Sequence, residues 1–232
     1  MKTVRCFLAL NLDLKTVREL KNVQTEIIKK SREVNLDVNW VPPQNIHITV
    51  RFLGAITEPM IQAIKDSLES STRSLESLHA SSKGFGYFKG DDNSAVIYSK
   101  IEPLDALDSF HSIVSKKLEN AGFKEKSEKY IPHATIGRGK NIDYNQLDAL
   151  LEEFNNIDMG NSVFRNLVCY KSEISSKGTD YKLLWRLPIS GNSNLTSTVN
   201  NLNTVNNDVK PDNENVDMGE VSGNNDFIGE GE

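Results

Sequence analysis

Two short segments of the chain share one pattern, a histidine followed two residues later by a threonine. The first pair is His47 and Thr49, and the second is His133 and Thr135. Each pair lies within an apolar run that is typical of a β-strand. Because side chains alternate along a strand, the histidine and the threonine of each pair point to the same face. If the two strands face one cleft, one imidazole could donate a proton to a bound phosphate and the other could accept one. Each threonine hydroxyl could donate a hydrogen bond to the same phosphate.

The duplication is more informative than either pair alone, because a single histidine on a strand is more often a packed or surface residue. The chain has only four histidines in 232 residues. Two such pairs would arise by chance in roughly 1–2% of chains of this composition. The other two histidines, His79 and His111, lack the threonine, and we expect them to be structural or exposed to solvent.

The sequence gives less support to a metal site, to nucleotide triphosphate hydrolysis or to a catalytic serine. Neither motif histidine has cysteine or carboxylate partners at the short spacing of a metal site, so we expect no metal and no cofactor. The glycine-rich loop of nucleotide triphosphatases and the G-x-S-x-G turn of serine hydrolases are both missing. Acid–base catalysis by two imidazoles remains, since a pKa of about 6.5 lets one act as base and the other as acid at the same pH.

The composition changes sharply after Pro188. Residues 191–232 contain eleven Asn, eight acidic residues and one Lys. A segment this polar cannot bury enough apolar surface to offset the conformational entropy lost on folding. We therefore expect residues 190–232 to form a disordered tail. The net charge of the whole chain is −5, whereas the sequence before the tail holds 26 basic and 24 acidic residues. This body, expected to be one domain of two lobes over residues 1–189, is compatible with a polyanionic partner.

Cysteine usage and the chain start bear on the cellular setting. Cys6 and Cys169 both lie in apolar runs, which predicts buried thiols in a reducing compartment. The first residues lack the long apolar stretch of a signal peptide, and no run approaches the ~18 apolar residues of a membrane span. We therefore expect a cytoplasmic monomer that has no membrane partner.

Apolar periodicity predicts the elements that must position the two motifs. Strands are expected at about residues 4–10, 45–53, 78–88, 94–101, 130–136, 164–171 and 181–187, and helices at about 14–34, 57–75, 103–122 and 144–154. The order strand, helix, motif strand, helix, strand occurs twice. We interpret it as an α+β fold, a bilobal, pseudo-two-fold duplicated unit in which two antiparallel sheets flank a central groove and the helices lie outside.

The segments around the motifs resemble the two-histidine (2H) phosphoesterase superfamily, and specifically the RNA 2′,3′-cyclic phosphodiesterases, formerly called 2′-5′ RNA ligases. The matching stretches are RCFLAL at 5–10, Trp40 with NIHITVRFLG at 45–54, PHATIGR at 132–138, and Ser172 followed by GTDY at 178–181. The resemblance covers residues 1–189 and does not extend to the tail. It implies a bilobal α+β fold and hydrolysis of a 2′,3′-cyclic phosphate at an RNA end to a 2′-phosphate.

The resemblance also implies roles for the motif residues, with His47 as proton donor, His133 as proton acceptor and RNA ends as the partner. The residues read on their own give no means of distinguishing the two histidines. The Thr49 and Thr135 hydroxyls would stabilise the charge that collects on the non-bridging oxygens. Three alternatives stay open: ligation through a 2′-5′ bond, hydrolysis of another small cyclic nucleotide, and a binding module that holds an RNA end without turnover.

Four further residues are candidates for substrate contacts. Strict alternation places Arg51 on the same face as the first motif, but places Arg138 on the face opposite the second. A β-bulge within residues 137–139 would return Arg138 to the groove. Phe7 and Tyr181 lie on predicted strands, and we expect their rings to stack on a base.

Overall fold

Nine strands and four helices make up the part of the chain that this computed structural model describes, residues 2–123, 129–175 and 178–189. The strands are β1 (Thr3–Leu10), β2 (Val38–Trp40), β3 (Ile48–Thr57), β4 (Leu78–Lys89), β5 (Ala95–Glu102), β6 (His133–Gly139), β7 (Asp158–Phe164), β8 (Asn166–Ser175) and β9 (Gly178–Pro188). The helices are α1 (Leu14–Glu33), α2 (Glu58–Arg73), α3 (Leu104–Asn120) and α4 (Tyr144–Glu152). The predicted tail, residues 190–232, lies outside the described residues.

The two motif strands lie side by side at the centre of one antiparallel sheet. The strand order is β7-β4-β5-β6-β3-β1-β8-β9, with β2 paired to β6 as well. In the register of β3 and β6 a single pair joins the two strands, Ile48 with Ala134. The α+β class is confirmed, and the two expected antiparallel sheets are continuous with one another through this one pair.

Each half of the sequence contributes strands to both sides of the sheet. β4 ends the first half, yet it pairs with β5 and β7 of the second half. In return, β8 of the second half pairs with β1. The short connection between β4 and β5 explains the first pairing, because antiparallel neighbours are joined most readily by a short turn. The groove-forming strands therefore depend on both sequence repeats.

The four helices lie where apolar periodicity predicts them, and they bury one stripe each. The buried apolar residues of α3, for example, are Leu107, Phe110, Val114 and Leu118. The Asp143 carboxylate caps α4 by accepting from two backbone N–H groups. Asp13 precedes α1 but its carboxylate accepts instead from the Val163 N–H, so it connects α1 to β7. Among the helices of the described segments, none combines the length and the apolarity required to cross a bilayer.

The two faces of the central strands have different environments. On β1, Cys6, Leu8 and Leu10 are buried in the main core, whereas Phe7 and Ala9 belong to a separate small cluster on the opposite face. Cys6 and Cys169 are both buried free thiols, which confirms their predicted burial. The separate cluster, completed by Val168, Tyr170 and Tyr181, borders the motif residues.

Candidate active site

Both motif histidines are held by the same backbone contact at the start of their strands. The His47 Nδ1 lies 2.7 Å from the Asn45 carbonyl oxygen, and the His133 Nδ1 lies 2.7 Å from that of Ile131. A carbonyl oxygen only accepts, so each Nδ1 carries a proton and donates it. In the neutral ring the lone pair is then on Nε2. Each imidazole therefore offers Nε2 for proton transfer.

The first motif is internally hydrogen-bonded. His47 Nε2 lies 3.1 Å from the Thr49 Oγ1, and the neutral Nε2 accepts, so the hydroxyl donates. The short 3-10 turn Pro43–Asn45 ends two residues before His47 and presents the Asn45 carbonyl to its ring. His47 and Thr49 thus share a face, as the spacing predicts.

The pKa values of both imidazoles are depressed. Burial lowers the pKa of His47 to about 4, against the hydrogen bond to Asn45, and the nearby charges of His133 and Arg138 lower it further. Burial also lowers the pKa of His133, against its bond to Ile131, with a further contribution from Arg138. Both rings are therefore neutral at neutral pH, and protonation of either would place a second positive charge near Arg138. Such a site gains from binding an anion.

A β-bulge follows the threonine of each motif. On β3, Thr49 pairs with Ala9 and Arg51 with Leu8, which leaves Val50 as the extra residue. On β6, Thr135 pairs with Tyr98 and Gly137 with Ile97, which leaves Ile136 as the extra residue. One extra residue reverses the alternation of the side chains that follow it, as far as the next bulge, which on β3 lies at Leu53. The two bulges therefore decide which downstream residues face the motif histidines.

The bulge at Val50 turns Arg51 away from the motif face. Arg51 lies on the same side of the sheet as Leu8, is only 3% exposed, and donates from Nη2 to the Phe123 carbonyl oxygen at 2.6 Å. The predicted position beside His47 was therefore wrong, because strict alternation does not hold across the bulge. Phe52 takes the groove-facing position instead, with 73% of its surface exposed.

The bulge in β6 has the opposite effect on Arg138 and brings it to the motif face. Arg138 pairs with Val96, two residues from Tyr98, and its positive charge lowers the pKa values of His47 and His133. A bulge was predicted to restore Arg138, and one does so, although its extra residue is Ile136 rather than one of residues 137–139. Arg138 is thus the candidate cation for an anionic ligand.

Aromatic rings surround His47. The Phe7 ring stacks on the imidazole with centroids 4.8 Å apart, and the Tyr181 ring meets it edge-on at 5.3 Å. Phe7 is only 4% exposed, so its ring packs against His47 rather than lying open to a ligand. Tyr181 is partly exposed, and Phe52 lies 6.3 Å from Phe7. An aromatic wall of Phe7, Phe52, Tyr170 and Tyr181 therefore borders His47.

The surroundings of His133 were not predicted from the sequence. Phe88 meets the imidazole edge-on at 4.9 Å, and Tyr98 lies 5.3 Å from it. Lys100 pairs with His133 in the register of β5 and β6, and its Nζ donates to the Asn155 Oδ1 at 2.6 Å. The only sequence feature that could have identified these residues is their alternation with core residues along the strands. That alternation is the same on any solvent-facing strand surface, so it does not indicate a functional site.

The remaining histidines have structural surroundings. His111 is buried on α3, where its ring stacks on Tyr130 at 3.9 Å. The Tyr130 hydroxyl donates to the Thr49 carbonyl oxygen at 3.3 Å, which connects the segment before β6 to the first motif strand. His79 is exposed and lies 3.4 Å from the Ser77 hydroxyl. Within residues 2–123, 129–175 and 178–189, no three His, Cys, Asp or Glu side chains are grouped so that they could hold a metal ion.

Comparisons with known proteins agree in the part of the chain they cover. A protein of Thermotoga maritima named RNA 2′,3′-cyclic phosphodiesterase is 30% identical over 188 residues, 81% of this chain and 97% of the relative. A protein of the same name from Methanocaldococcus jannaschii is 30% identical over 183 residues, 78% of this chain and 98% of the relative.

Solved structures share the fold. The crystal structure of TT0787 from Thermus thermophilus matches with a TM-score of 0.64 at 21% identity, covering 81% of this chain and 98% of that one. E. coli LigT, crystallised with ATP, matches with a TM-score of 0.60 at 15% identity, covering 81% and 99%. Residues 6–189 match the AKAP7 2′5′ RNA ligase-like domain family, and this chain, with its paired histidines and threonines, belongs to that family of two-histidine phosphoesterases.

Proposed function

We propose that the protein hydrolyses the 2′,3′-cyclic phosphate at an RNA end to a 2′-phosphate, with His47 and His133 as the acid–base pair and without a metal ion. The observation that carries this proposal is the matched pair of imidazoles, each with Nδ1 fixed by a backbone carbonyl and Nε2 available. The choice of substrate is supported by the relatives of about 30% identity that are named RNA 2′,3′-cyclic phosphodiesterases.

The proposed reaction is an in-line attack of water on phosphorus. The Nε2 of His133 takes a proton from the water as its oxygen bonds to phosphorus. The bond from phosphorus to the 3′ oxygen breaks, and the Nε2 of protonated His47 gives its proton to that oxygen. The direction follows the resemblance, with His47 as donor and His133 as acceptor. A cyclic phosphate is strained and keeps its leaving group in place, so the two imidazoles suffice.

Charge on the non-bridging oxygens requires donors that are already in place. The Thr49 and Thr135 hydroxyls and the Arg138 guanidinium fill this role, and one such donor lowers the activation barrier by ~3 kcal/mol in comparable sites. The bound phosphate also explains how His47 can be protonated although its pKa is depressed in the free protein. An anion between the imidazoles raises their pKa values and lets His47 hold the proton that it later donates.

The aromatic wall beside His47 is the proposed position of the terminal nucleoside. Tyr181 and Phe52 have exposed surface for a base, and base–aromatic stacking contributes about 1–3 kcal/mol per base. Phe7 acts through His47, whose ring it covers. This placement puts the ribose on the side of the proposed proton donor, as departure of the 3′ oxygen requires. Arg51 takes no part in phosphate binding in this arrangement.

The decisive experiment uses an RNA oligonucleotide that ends in a 2′,3′-cyclic phosphate, incubated with the protein in excess EDTA. We expect complete conversion to a 2′-phosphate end, identified by chromatographic comparison with authentic 2′-phosphate and 3′-phosphate standards. Activity that appears only after a divalent cation is added would overturn the metal-free mechanism. A 3′-phosphate product would overturn the assignment of the leaving group.

The same assay separates the alternatives. Joining of a cyclic phosphate end to a 5′-hydroxyl RNA through a 2′-5′ bond would reveal ligation. Turnover of a cyclic mononucleotide, together with no turnover of the RNA, would indicate a small-molecule phosphodiesterase. Binding of the RNA end without any conversion would identify a binding module.

A further inference from the structure

The bulge on β6 lies where this strand changes partners. Ala134 pairs with Ile48 of β3, whereas Gly137 pairs with Trp40 of β2. Ile136 stands between these two pairings and is the residue left out of the ladder with β5. Its carbonyl oxygen accepts from the backbone N–H of Val41, just after β2, at 2.9 Å.

A glutamine side chain from α1 reaches this point. The Gln24 Nε2 donates to the Ile136 carbonyl oxygen and to the Val41 carbonyl oxygen, both at 2.9 Å. Gln24 is 3% exposed and lies in a stripe with Leu20 and Ile27, which are fully buried. A buried amide is costly unless hydrogen-bonded, and both N–H groups of this amide are used. The pattern on α1 is typical of an apolar core position, so the amide is there for these two bonds.

The bulge matters because the residues after it cannot exchange faces. Gly137 faces Val38 and Trp40, and a Cβ at this position would lie 2.8 Å from the Val38 Cγ1. Without the extra residue, Arg138 would turn towards that crowded side and the glycine towards the groove. The equivalent position on β3 is different, because the inward-facing Arg51 has the Phe123 carbonyl to receive it.

We propose that Gln24 is a positioning residue, whose amide fixes the β6 bulge at Ile136 and so holds Arg138 beside the two motif histidines. This inference rests on the proposed function for the use that Arg138 serves, but the placement of Arg138 can be measured without turnover. The charges that act on the histidines are those of Arg138 and, for His47, of His133, and Lys100 pairs with His133 across the strands while its Nζ donates to Asn155. The phenols of Tyr98 and Tyr181 lie beside the imidazoles.

The first test is an NMR titration of the imidazoles, which works whether or not the protein is an enzyme. Arg138→Ala removes a positive charge and is expected to raise the pKa values of His47 and His133. Gln24→Met keeps the volume and removes both donors, and it is expected to raise the same two pKa values. The combined variant is expected to show no further rise, because Gln24 acts through Arg138.

The matched control is Thr16→Val on the same helix. The Thr16 hydroxyl is buried and donates to the Asn161 carbonyl oxygen of β7 at 3.0 Å, so its loss also removes a buried bond between α1 and a strand. This variant is expected to lower the Tm as Gln24→Met does and to leave both pKa values unchanged. If Gln24→Met does not fold, Gln24→Asn keeps a polar amide that is too short to reach, and the same rise is expected.

Kinetics supply the second test. Gln24→Met is expected to lower kcat/KM for the cyclic phosphate RNA by up to about 100-fold, and to have no effect in the Arg138→Ala background. Unchanged imidazole pKa values in a folded Gln24→Met variant, with a rise in Arg138→Ala, would overturn the role of Gln24. If the wild-type protein does not hydrolyse the RNA at all, the proposed function fails. The titration still tests whether the Gln24 amide holds Arg138 beside the two histidines.

Discussion

The chemistry at the residue scale depends on which nitrogen of each imidazole is available. Sequence spacing places a histidine and a threonine on one face, and the structure agrees for His47 and Thr49. Spacing does not reveal that each histidine stands at the start of its strand, where the carbonyl two residues earlier turns back to Nδ1. That contact leaves Nε2 as the reactive atom in both motifs, which is what a paired acid and base require.

Replacing either motif histidine by alanine is expected to lower kcat by ~10²- to 10⁴-fold, because positioned proton transfer contributes about that much. The Tm is expected to change little, since both side chains are partly exposed. The double variant is expected to be hardly slower than the worse single variant, because the two residues act as a unit. His79→Ala, at an exposed position, is the control. A single motif variant with nearly full turnover would assign that histidine a structural role.

The pH dependence follows from the lowered pKa values of both imidazoles. In the free protein the charged form of each ring is lost as pH rises through its lowered pKa, which is about 4 for His47. The bell-shaped profile of kcat/KM, which reports the free protein, is therefore displaced towards acid pH. The bound phosphate raises the pKa values, so the profile of kcat is expected to have its optimum at higher pH.

Measuring kcat and KM separately over the acid, neutral and alkaline range tests this. The apparent pKa values belong to the coupled pair of imidazoles rather than to either residue. A rate that only rises into the alkaline range would indicate attack by hydroxide without an essential acid.

At the scale of elements, the sequence predicts the positions of most helices and strands, but it does not predict which face a residue takes beyond the bulges after Thr49 and Thr135. Apolar periodicity predicted α1 as 14–34, and the helix is Leu14–Glu33. It did not predict β7, whose sequence DMGNSVF lacks clear alternation, because that strand owes its structure to pairing with β4. A bulge has no periodic signature either, so the face of each residue beyond one can be read only from the strand register.

The two arginines give the element-scale prediction. Arg138→Ala is expected to lower kcat/KM by about 10²-fold at unchanged Tm, because a donor to the phosphate oxygens is lost. Arg51→Ala is expected to lower the free energy of unfolding by about 2 kcal/mol, because a buried charge-assisted bond to Phe123 is removed. Its kcat per folded molecule should stay near wild type. Urea denaturation and steady-state kinetics on both variants check this.

Arg51→Lys keeps the charge at the same position and serves as the matched control for Arg51→Ala. A folded Arg51→Ala protein that has lost turnover would place Arg51 in the chemistry after all. Full activity in Arg138→Ala would remove it from the proposed phosphate contacts.

At the scale of the whole molecule, the site is a product of the duplication. The sequence showed two similar halves, each with one motif, and the structure places the motif strands β3 and β6 next to one another. It did not show that β4 and β8 cross to the opposite half, because pairing between distant strands leaves no local pattern in the sequence. The two motif strands share one register pair, so strands exchanged between the halves are needed to hold both walls of the groove.

The chain beyond the catalytic domain gives the last prediction. The family match ends at residue 189, where Ile189 is 1% exposed and donates its N–H to the Arg165 carbonyl oxygen at 2.7 Å. A protein that ends at Gly191 keeps this contact and all the described elements. We expect it to have the Tm and the kcat of the full chain, measured by thermal denaturation and by the cyclic phosphate assay.

Binding of RNA is the property that this truncation should change. The removed segment carries eight acidic residues and one Lys, and it leaves a body with 26 basic and 24 acidic residues. Less repulsion of a polyanion lowers KM at low ionic strength, and at ~0.15 M salt, where the Debye length is about 8 Å, the difference largely disappears. The matched control keeps the length and replaces the eight carboxylates of the segment by amides. If charge is the cause, that variant behaves like the truncated protein; if it behaves like the full chain, or if truncation lowers the Tm, the segment instead packs on the domain.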